Sequence, residues 1–481
     1  MTPFPPAASW RSGCARVILC LGLLALGSTV VRAADSPVAN AAKQQRWNEV
    51  RALIADDVVV DARQADGATA LHWAAYWNEL SVLNLLIGAG ADLDAANEYG
   101  ATPLWAACAN RHGDVVERLL EAGADPDRGL DAGETLLMRC AHTGDPAAIR
   151  ALVRYGADLD ATEPEKGQTA LMRAVATGHA EITQMLLEAG ASLDIRTRSV
   201  QQLRGTGERS TTSPQGATYF DAGGFTALLF AARHGDIASA RWLLDAGADV
   251  DDTGADGNSA MALAAMSGHE QLARYLLERG ADPNAAGAGY SGLHAAVLRR
   301  LPALMQDLLA RGADPNLPLV RSTPVPRWTY QHIFTLREKG ATPLLLAAKY
   351  LEPDMVRVLA EHGGNVLRPK EDGTTPLMAA VGLSANRSTT RRNRLIAPEL
   401  VSAEWANDGL VRDTVRALLD RGADVSLDAA GPSGNTALHT AARYRFTGAA
   451  DVLLASGADA DIENEAGTTA REMLDRLETG P

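Results

Sequence analysis

Thr69-Ala70-Leu71-His72-Trp73-Ala74-Ala75 opens a block of sequence that closes on Gly90-Ala91-Asp92. A second block follows, opening with Thr102-Pro103-Leu104-Trp105-Ala106-Ala107 and closing on Gly123-Ala124-Asp125. The block returns from Thr135 to Asp158 and from Thr169 to Ser192, and further copies start at Thr226, Ser259, Ser291, Thr342, Thr375, Thr436 and Thr469. Uninterrupted neighbours share one nearly constant spacing. A short fixed period of this kind is one supersecondary unit, too small to bury its own apolar face and stable only when stacked on its neighbours.

The residue types inside the period suit a pair of short helices. The Thr or Ser hydroxyl can accept from the first free N–H groups of a helix, and Pro beside it occupies a position where its missing N–H costs nothing. Ala pairs let neighbouring helices approach, while Leu119-Leu120 and Leu186-Leu187 supply aliphatic area. The closing Gly can turn left-handed and end the second helix, and Asp after Gly-Ala starts the connection.

The opening T-P-L-H-x-A-A, the middle seen at Gly178-His179-Ala180-Glu181-Ile182 and Gly268-His269-Glu270, and the L-L-x-x-G-A-D close resemble the ankyrin repeat. The resemblance covers nearly all of the chain after residue 33 and implies an all-α solenoid of about 11 helix-turn-helix units with hairpin-like connections, the array proper spanning 69–481. It also implies a concave surface of first helices and hairpin tips that most often holds a protein. His72, His294 and His439 fall in the slot where the resemblance implies a structural hydrogen bond between adjacent units. Trp47, Val50, Leu53 and Ile54 place Ala42 to Ala55 as the second helix of an N-terminal capping unit within 34–68, and Glu472 to Leu477 as a shortened closing helix in a C-terminal cap of about 469–481.

Residues 1–33 read as a signal peptide. Arg11 and Arg16 precede an apolar stretch from Val17 to Val31, and Val31-Arg32-Ala33 offers a cleavage site before Ala34. The stretch is shorter than a bilayer span, so no stable membrane segment is expected after cleavage. The expected location is periplasmic or secreted, with a bacterial source suggested by the Ala/Arg/Gly/Asp bias. Cys14 and Cys20 leave with the leader. Cys108 and Cys140 remain, expected to be two buried thiols serving as small core residues; an oxidising compartment permits a bridge, but two cysteines make no disulfide framework.

The period fails three times, from Thr169 to Thr226, Ser291 to Thr342 and Thr375 to Thr436, which places inserts at about 195–223, 317–340 and 384–407. The first two extend connections between repeats, and the third separates the two helices of one repeat. Their net charges are +2, +3 and +2. With the +3 of the leader also set aside, the scaffold carries −24 within a chain of net charge −14. Such acidity repels phosphates and argues against nucleic acid as a partner. With 46% hydrophobic residues the chain is not a disordered tail, and aromatics at 5% indicate a core of small and aliphatic side chains.

Two sets of candidate partner-binding residues follow. Trp73, Tyr76 and Trp77 lie in the first helix of the first full copy, Tyr99 in the next connection and Trp105 in the next helix. Trp and Tyr are frequent interface anchors, although these could equally be core or capping aromatics. Arg327, Trp328 and Tyr330 in the second insert, with Arg391, Arg392 and Arg394 in the third, would form a basic, aromatic loop surface unless the loops fold back onto their own acidic scaffold.

No catalytic or cofactor motif stands out. Gly287-Ala288-Gly289-Tyr290-Ser291-Gly292 matches a dinucleotide fingerprint but lacks a preceding strand and falls on a connection and helix start. No histidine cluster suggests a metal, and the spacing of the Gly-Ala-Asp aspartates fits no EF-hand loop. The expectation is a non-enzymatic protein-interaction scaffold without cofactor. The alternatives are a binder of anionic polysaccharide or another envelope polymer, and an enzyme whose site is assembled by the inserts.

Overall fold

The computed structural model describes residues 36–205, 217–321, 338–382 and 408–478. Helices come in pairs: α1 (Pro37–Lys43) with α2 (Trp47–Ala55), α3 (Ala70–Tyr76) with α4 (Leu80–Gly88), α5 (Pro103–Asn110) with α6 (Gly113–Glu121), α7 (Leu136–Thr143) with α8 (Pro146–Arg154), and α9 (Ala170–Thr177) with α10 (Ala180–Glu188). After a two-stranded ribbon follow α11 (Ala227–His234) with α12 (Ile237–Asp245), α13 (Ala260–Ser267) with α14 (Glu270–Glu278), and α15 (Gly292–Arg299) with α16 (Pro302–Ala310). The array ends with α17 (Pro343–Lys349) and α18 (Pro353–Glu361), α19 (Pro376–Gly382) and α20 (Asp408–Leu419), α21 (Ala437–Tyr444) and α22 (Thr447–Ala455), and the single helix α23 (Ala470–Glu478).

Odd-numbered helices pack on one another in one layer and even-numbered helices in a second, so each helix meets its pair mate and its counterparts in the flanking repeats. The starts of the first-layer helices follow the expected chemistry. Thr102 accepts from the Trp105 amide, Thr135 from Met138 and Thr342 from Leu345. Ser291 and Thr436 go further, since the histidine three residues on returns a ring nitrogen to their own backbone N–H. Removing such a cap costs about 1 kcal/mol. At the other end of the pair Gly123, at φ +99°, reverses the chain after α6, a conformation that a side chain would strain. Leu119, Leu120, Leu186 and Leu152 are buried between the layers, each contributing about 1.5–3 kcal/mol by leaving water.

Two features depart from the sequence reading, and a third gives form to a connection that it left undescribed. The N-terminal unit is a complete pair, not one helix: α1 buries Val38, Ala39, Ala41 and Ala42. The sequence does carry a signal for it, because Ser36-Pro37-Val38 followed by Ala41-Ala42 repeats the block's opening one full period before Thr69. Within the first insert, β1 (Val200–Gly205) pairs antiparallel with β2 (Ala217–Ala222), Leu203 facing Tyr219, so this connection between repeats is extended as a β-ribbon. Finally, Cys108 and Cys140 are joined in a disulfide, with Cα atoms 4.9 Å apart. The two cysteines are indeed buried, but stacking sets them face to face. The closing helix α23 starts directly after Thr469, and its Arg471, Glu472, Asp475 and Arg476 are exposed or half-exposed at the end of the array. No helix among the described residues is long and apolar enough to cross a membrane.

Candidate interaction surface

Within each first-layer helix from α1 to α21 the fifth and sixth residues after the opening Thr or Ser are buried, as Ala74 with Ala75 and Ala107 with Cys108 show. The fourth, seventh and eighth keep accessible surface in most copies, which turns one side of the layer into a continuous face. Its N-terminal end carries the expected aromatics. Trp73 is half-buried: its Nε1–H donates to Gln64 Oε1 at 2.9 Å, and the Lys43 ammonium sits 5.0 Å from its ring centroid. Tyr76 meets Trp73 edge-on at 5.8 Å and Trp77 at 4.8 Å. Trp77 is 41% exposed and Tyr99, at the next hairpin tip, 53%. Of the five aromatics, then, Trp77 and Tyr99 present free surface, whereas Trp73 is held in place by packing and hydrogen bonding.

Trp105 has a different setting. It occupies the slot that holds His72 in the preceding repeat, and the Arg139 guanidinium lies over its ring, 4.9 Å from the centroid. Arg139 is bound to Glu134 at 2.5 Å, and the other Glu134 oxygen is 3.5 Å from Arg173. One carboxylate thus serves two guanidiniums in a setting where the three side chains keep 11–24% of their surface. Trp105 Nε1 and Arg173 Nε are buried with no acceptor among the described residues. Burial, followed by the charges of Arg139 and Arg173, holds the His142 imidazole below its ordinary pKa. Arg139 and Arg173 are residues that the sequence reading missed. The available signal was their position, since the fourth place after the opening Thr or Ser holds Ala106, Leu263, Ala295, Leu346 and Ala379 elsewhere.

The insert candidates Arg327, Trp328, Tyr330, Arg391, Arg392 and Arg394 lie outside the described residues. Where the inserts are described, Arg196 and Arg321 fold back on the scaffold. Arg196 pairs with Asp252 and donates to the Gly224 and Thr253 carbonyls, and Arg321 donates to the carbonyls of Ala288, Gly287 and Asp256. The acidic scaffold explains this, as a guanidinium at a connection finds carbonyls and carboxylates already in reach. The insert roots are also separated along the array, lying between α10 and α11, α16 and α17, and α19 and α20. Near the last of these, an open recess of about 280 Å³ is bordered by Met378, Gly382, Thr440, Arg443 and Tyr444.

The remaining polar groups are structural. His72, His294 and His439 each bring Nε2 to a carbonyl of the following connection, Ala101, Ala341 and Thr468, at 2.9, 3.3 and 3.0 Å. His179 and His269 do the same to the His142 and Arg233 carbonyls of the preceding repeat. The Gly287–Gly292 string is a connection: Tyr290 is buried with its hydroxyl donating to Asn258 Oδ1, and Ser291 caps α15. The repeated aspartates bind backbone, as when the Asp125 and Asp158 amides donate to Asp94 and Asp127. Among the described residues no group of three or more His, Cys, Asp or Glu converges as a metal site.

A two-layer stack of capped helix pairs presenting one open helical face defines a helical-repeat solenoid of the kind that binds other macromolecules. A model of tandem ankyrin repeats in three copies matches residues 22–97, 38–129, 127–197, 200–287, 228–319 and 293–388, and a single ankyrin repeat matches 433–465. These matches cover well over half of the chain, which belongs to the ankyrin repeat family. The chain is similar to neurogenic locus notch homolog protein 1 of Xenopus tropicalis and of Homo sapiens, 34% identical over 137 residues in each case, and to that of Danio rerio at 32%. The matched stretch is 26% of this chain and spans only 5% of those relatives' length. Among solved structures, the human ASB11 ankyrin repeat domain is 26% identical with a TM-score of 0.41, covering 51% of this chain and 97% of the other.

Proposed function

We propose that this chain is a non-enzymatic scaffold that holds a protein partner on its first-layer face, in the periplasm or outside the cell. Ankyrin repeats indicate protein–protein interaction, and the observation that carries the reading here is the exposed pair Trp77 and Tyr99 at one end of that face. Large aromatics held by a rigid array supply contact area at low entropic cost, so a few anchors rather than total area set affinity. The exported location is supported by the leader-like sequence of residues 1–33 together with the Cys108–Cys140 bond, since disulfides persist in oxidising compartments.

Photo-crosslinking tests this directly. A benzophenone amino acid placed at Asn110, on the same face and half-buried, is expected to join one defined protein in intact cells, and Trp77→Ala with Tyr99→Ala is expected to reduce that product at least tenfold. A crosslink pattern unchanged by the double substitution, or none to any protein, refutes the reading. Accessibility of residue 110 to a membrane-impermeant reagent in intact or outer-membrane-permeabilised cells decides the location.

A further inference from the structure

The charges of the two layers are segregated. The ten first-layer helices from α3 to α21 carry Arg139, Arg173, Arg233, Arg299, Lys349 and Arg443, but no Asp or Glu. Asp and Glu make up 59 of the 481 residues, so ten helices free of both depart from the average of the chain. Apart from the buried Arg139 the cations sit at accessible positions, and none of the six meets an anion of its own layer. The second layer is different, with Glu117, Glu121, Glu188 and Glu278 among its acidic residues. An acid-free face on a chain of net charge −14 is a local reversal of sign.

Carboxylates from the connections reach only part of this face. Glu134 is shared by Arg139 and Arg173, and Glu338 pairs with Lys349. Arg233 and Arg443 are exposed and form no ion pair with the chain's own carboxylates among the described residues; Arg233 has the Phe225 ring 6.0 Å away, and Arg443 borders the recess beside α19. Between these two cations the face is apolar and half-open at Leu263, Met266 and Leu298. Packed helices stand about 8–10 Å apart, so five steps from α11 to α21 cover roughly 40–50 Å. An extended polypeptide advances about 3.3 Å per residue, or roughly three residues for each helix crossed.

We propose that the first-layer face from α11 to α21 takes an extended acidic protein segment, with carboxylates near its two ends, about 12–15 residues apart, engaging Arg233 and Arg443 and apolar side chains between them lying on Leu263, Met266 and Leu298. This rests on the scaffold reading above and adds the chemistry of the partner. The apolar centre favours a polypeptide over a uniformly hydrophilic polyanion, which would gain nothing from covering it. Charge complementarity here sets orientation and encounter rate, while the apolar contacts slow release.

Fluorescence anisotropy with the whole chain and a labelled peptide of about 15 residues tests the proposal, the length being that needed to cover the five steps from α11 to α21. Glu residues stand at both ends of the peptide, with Leu and Ser between them. This probe is expected to bind in a salt-sensitive manner, and its analogue with Lys for Glu to bind at least tenfold more weakly. Arg233→Glu with Arg443→Glu is expected to weaken the Glu peptide at least tenfold and leave the melting temperature unchanged, since both side chains are exposed. Equal binding of the two peptides, or full binding by the double variant, overturns the proposal. So does arginine-dependent binding of polygalacturonate in preference to the Glu peptide. If the protein crosslinked through residue 110 is retained by the double variant, the acidic-segment proposal fails and the scaffold reading stands; absence of a Trp77-dependent crosslink in the unsubstituted chain sinks the reading itself.

Discussion

Cys108, the sixth residue after its opening Thr, is bonded to Cys140, the fifth residue after the next, so that a covalent link ties α5 to α7 across the repeat boundary. Both are fully buried within the first layer. The bond closes a loop over a sequence separation of 32, for which chain-entropy arguments give about 3–4 kcal/mol of stabilisation. In a solenoid that stabilisation is local, acting on the repeats on either side of the bond.

Reduction is therefore expected to destabilise the N-terminal part of the array before the rest. Hydrogen exchange with and without dithiothreitol should show faster exchange in α5 to α8 and little change from α13 onward. Cys108→Ala with Cys140→Ala should reproduce the effect and abolish any further response to the reductant. Alkylation of the untreated unfolded chain at Cys108 and Cys140 would show that the bond does not form.

Trp73 and Trp77 should separate stability from binding. Trp73 packs against the core and donates to Gln64, so Trp73→Ala is expected to cost about 2–3 kcal/mol. Trp77 keeps 41% of its surface and loses mainly its edge contact with Tyr76, so Trp77→Ala should cost about 1 kcal/mol or less. Partner crosslinking should fall much more with Trp77 than this cost explains. Chemical denaturation of both variants, compared with the crosslink yield, checks the separation.

The period alone made most of the fold legible, because Thr or Ser, the Ala pair and the closing Gly each have a local physical task that recurs in every copy. His72 and His439 were legible for the same reason. Features that depend on neighbours across the stack were not. The Cys108–Cys140 bond joins different positions of two repeats, and the Arg139–Trp105–Glu134 contact draws on two helices and a connection. The α1 helix escaped because Ser36-Pro37-Val38 lies directly beside the leader, where the apolar stretch dominates the reading. Arg196 and Arg321 belong to the basic inserts, yet the nearest acceptors are the scaffold's own.

His294 gives the array a pH dependence of known sign. It is fully buried in α15, and burial pushes its pKa down to about 4, with no charged group among the causes. The unfolded chain holds this imidazole near 6.5, so between those values the unfolded state binds the extra proton. Stability is then full above about pH 6.5 and falls progressively as pH drops toward 4, by up to ~3 kcal/mol from this residue. His72, lowered chiefly by burial, adds in the same direction. Urea titrations from pH 7.5 to 4.5 should show the loss, and His294→Gln, which keeps a donor for the Ala341 carbonyl, should flatten it. An identical slope in the variant would assign the effect to other groups.

Glu134 pairs with both the Arg139 and the Arg173 guanidinium, and its removal tests whether that cluster is poised for another carboxylate. Exposed ion pairs contribute about 0–1 kcal/mol, whereas breaking a buried one costs about 3–5 kcal/mol. With 11–24% of the side-chain surface left, Glu134→Gln should fall between, at about 1–3 kcal/mol. The lost carboxylate leaves Arg139 and Arg173 repelling each other beside Trp105, and an added anion can relieve that repulsion. Acetate at rising concentration should therefore restore part of the stability of Glu134→Gln, more than chloride at equal ionic strength does. The parent chain should not respond, because Glu134 already fills the place. Adding Arg173→Ala to Glu134→Gln should recover part of the loss and remove the acetate response, since one guanidinium stacked on Trp105 has no like charge to oppose.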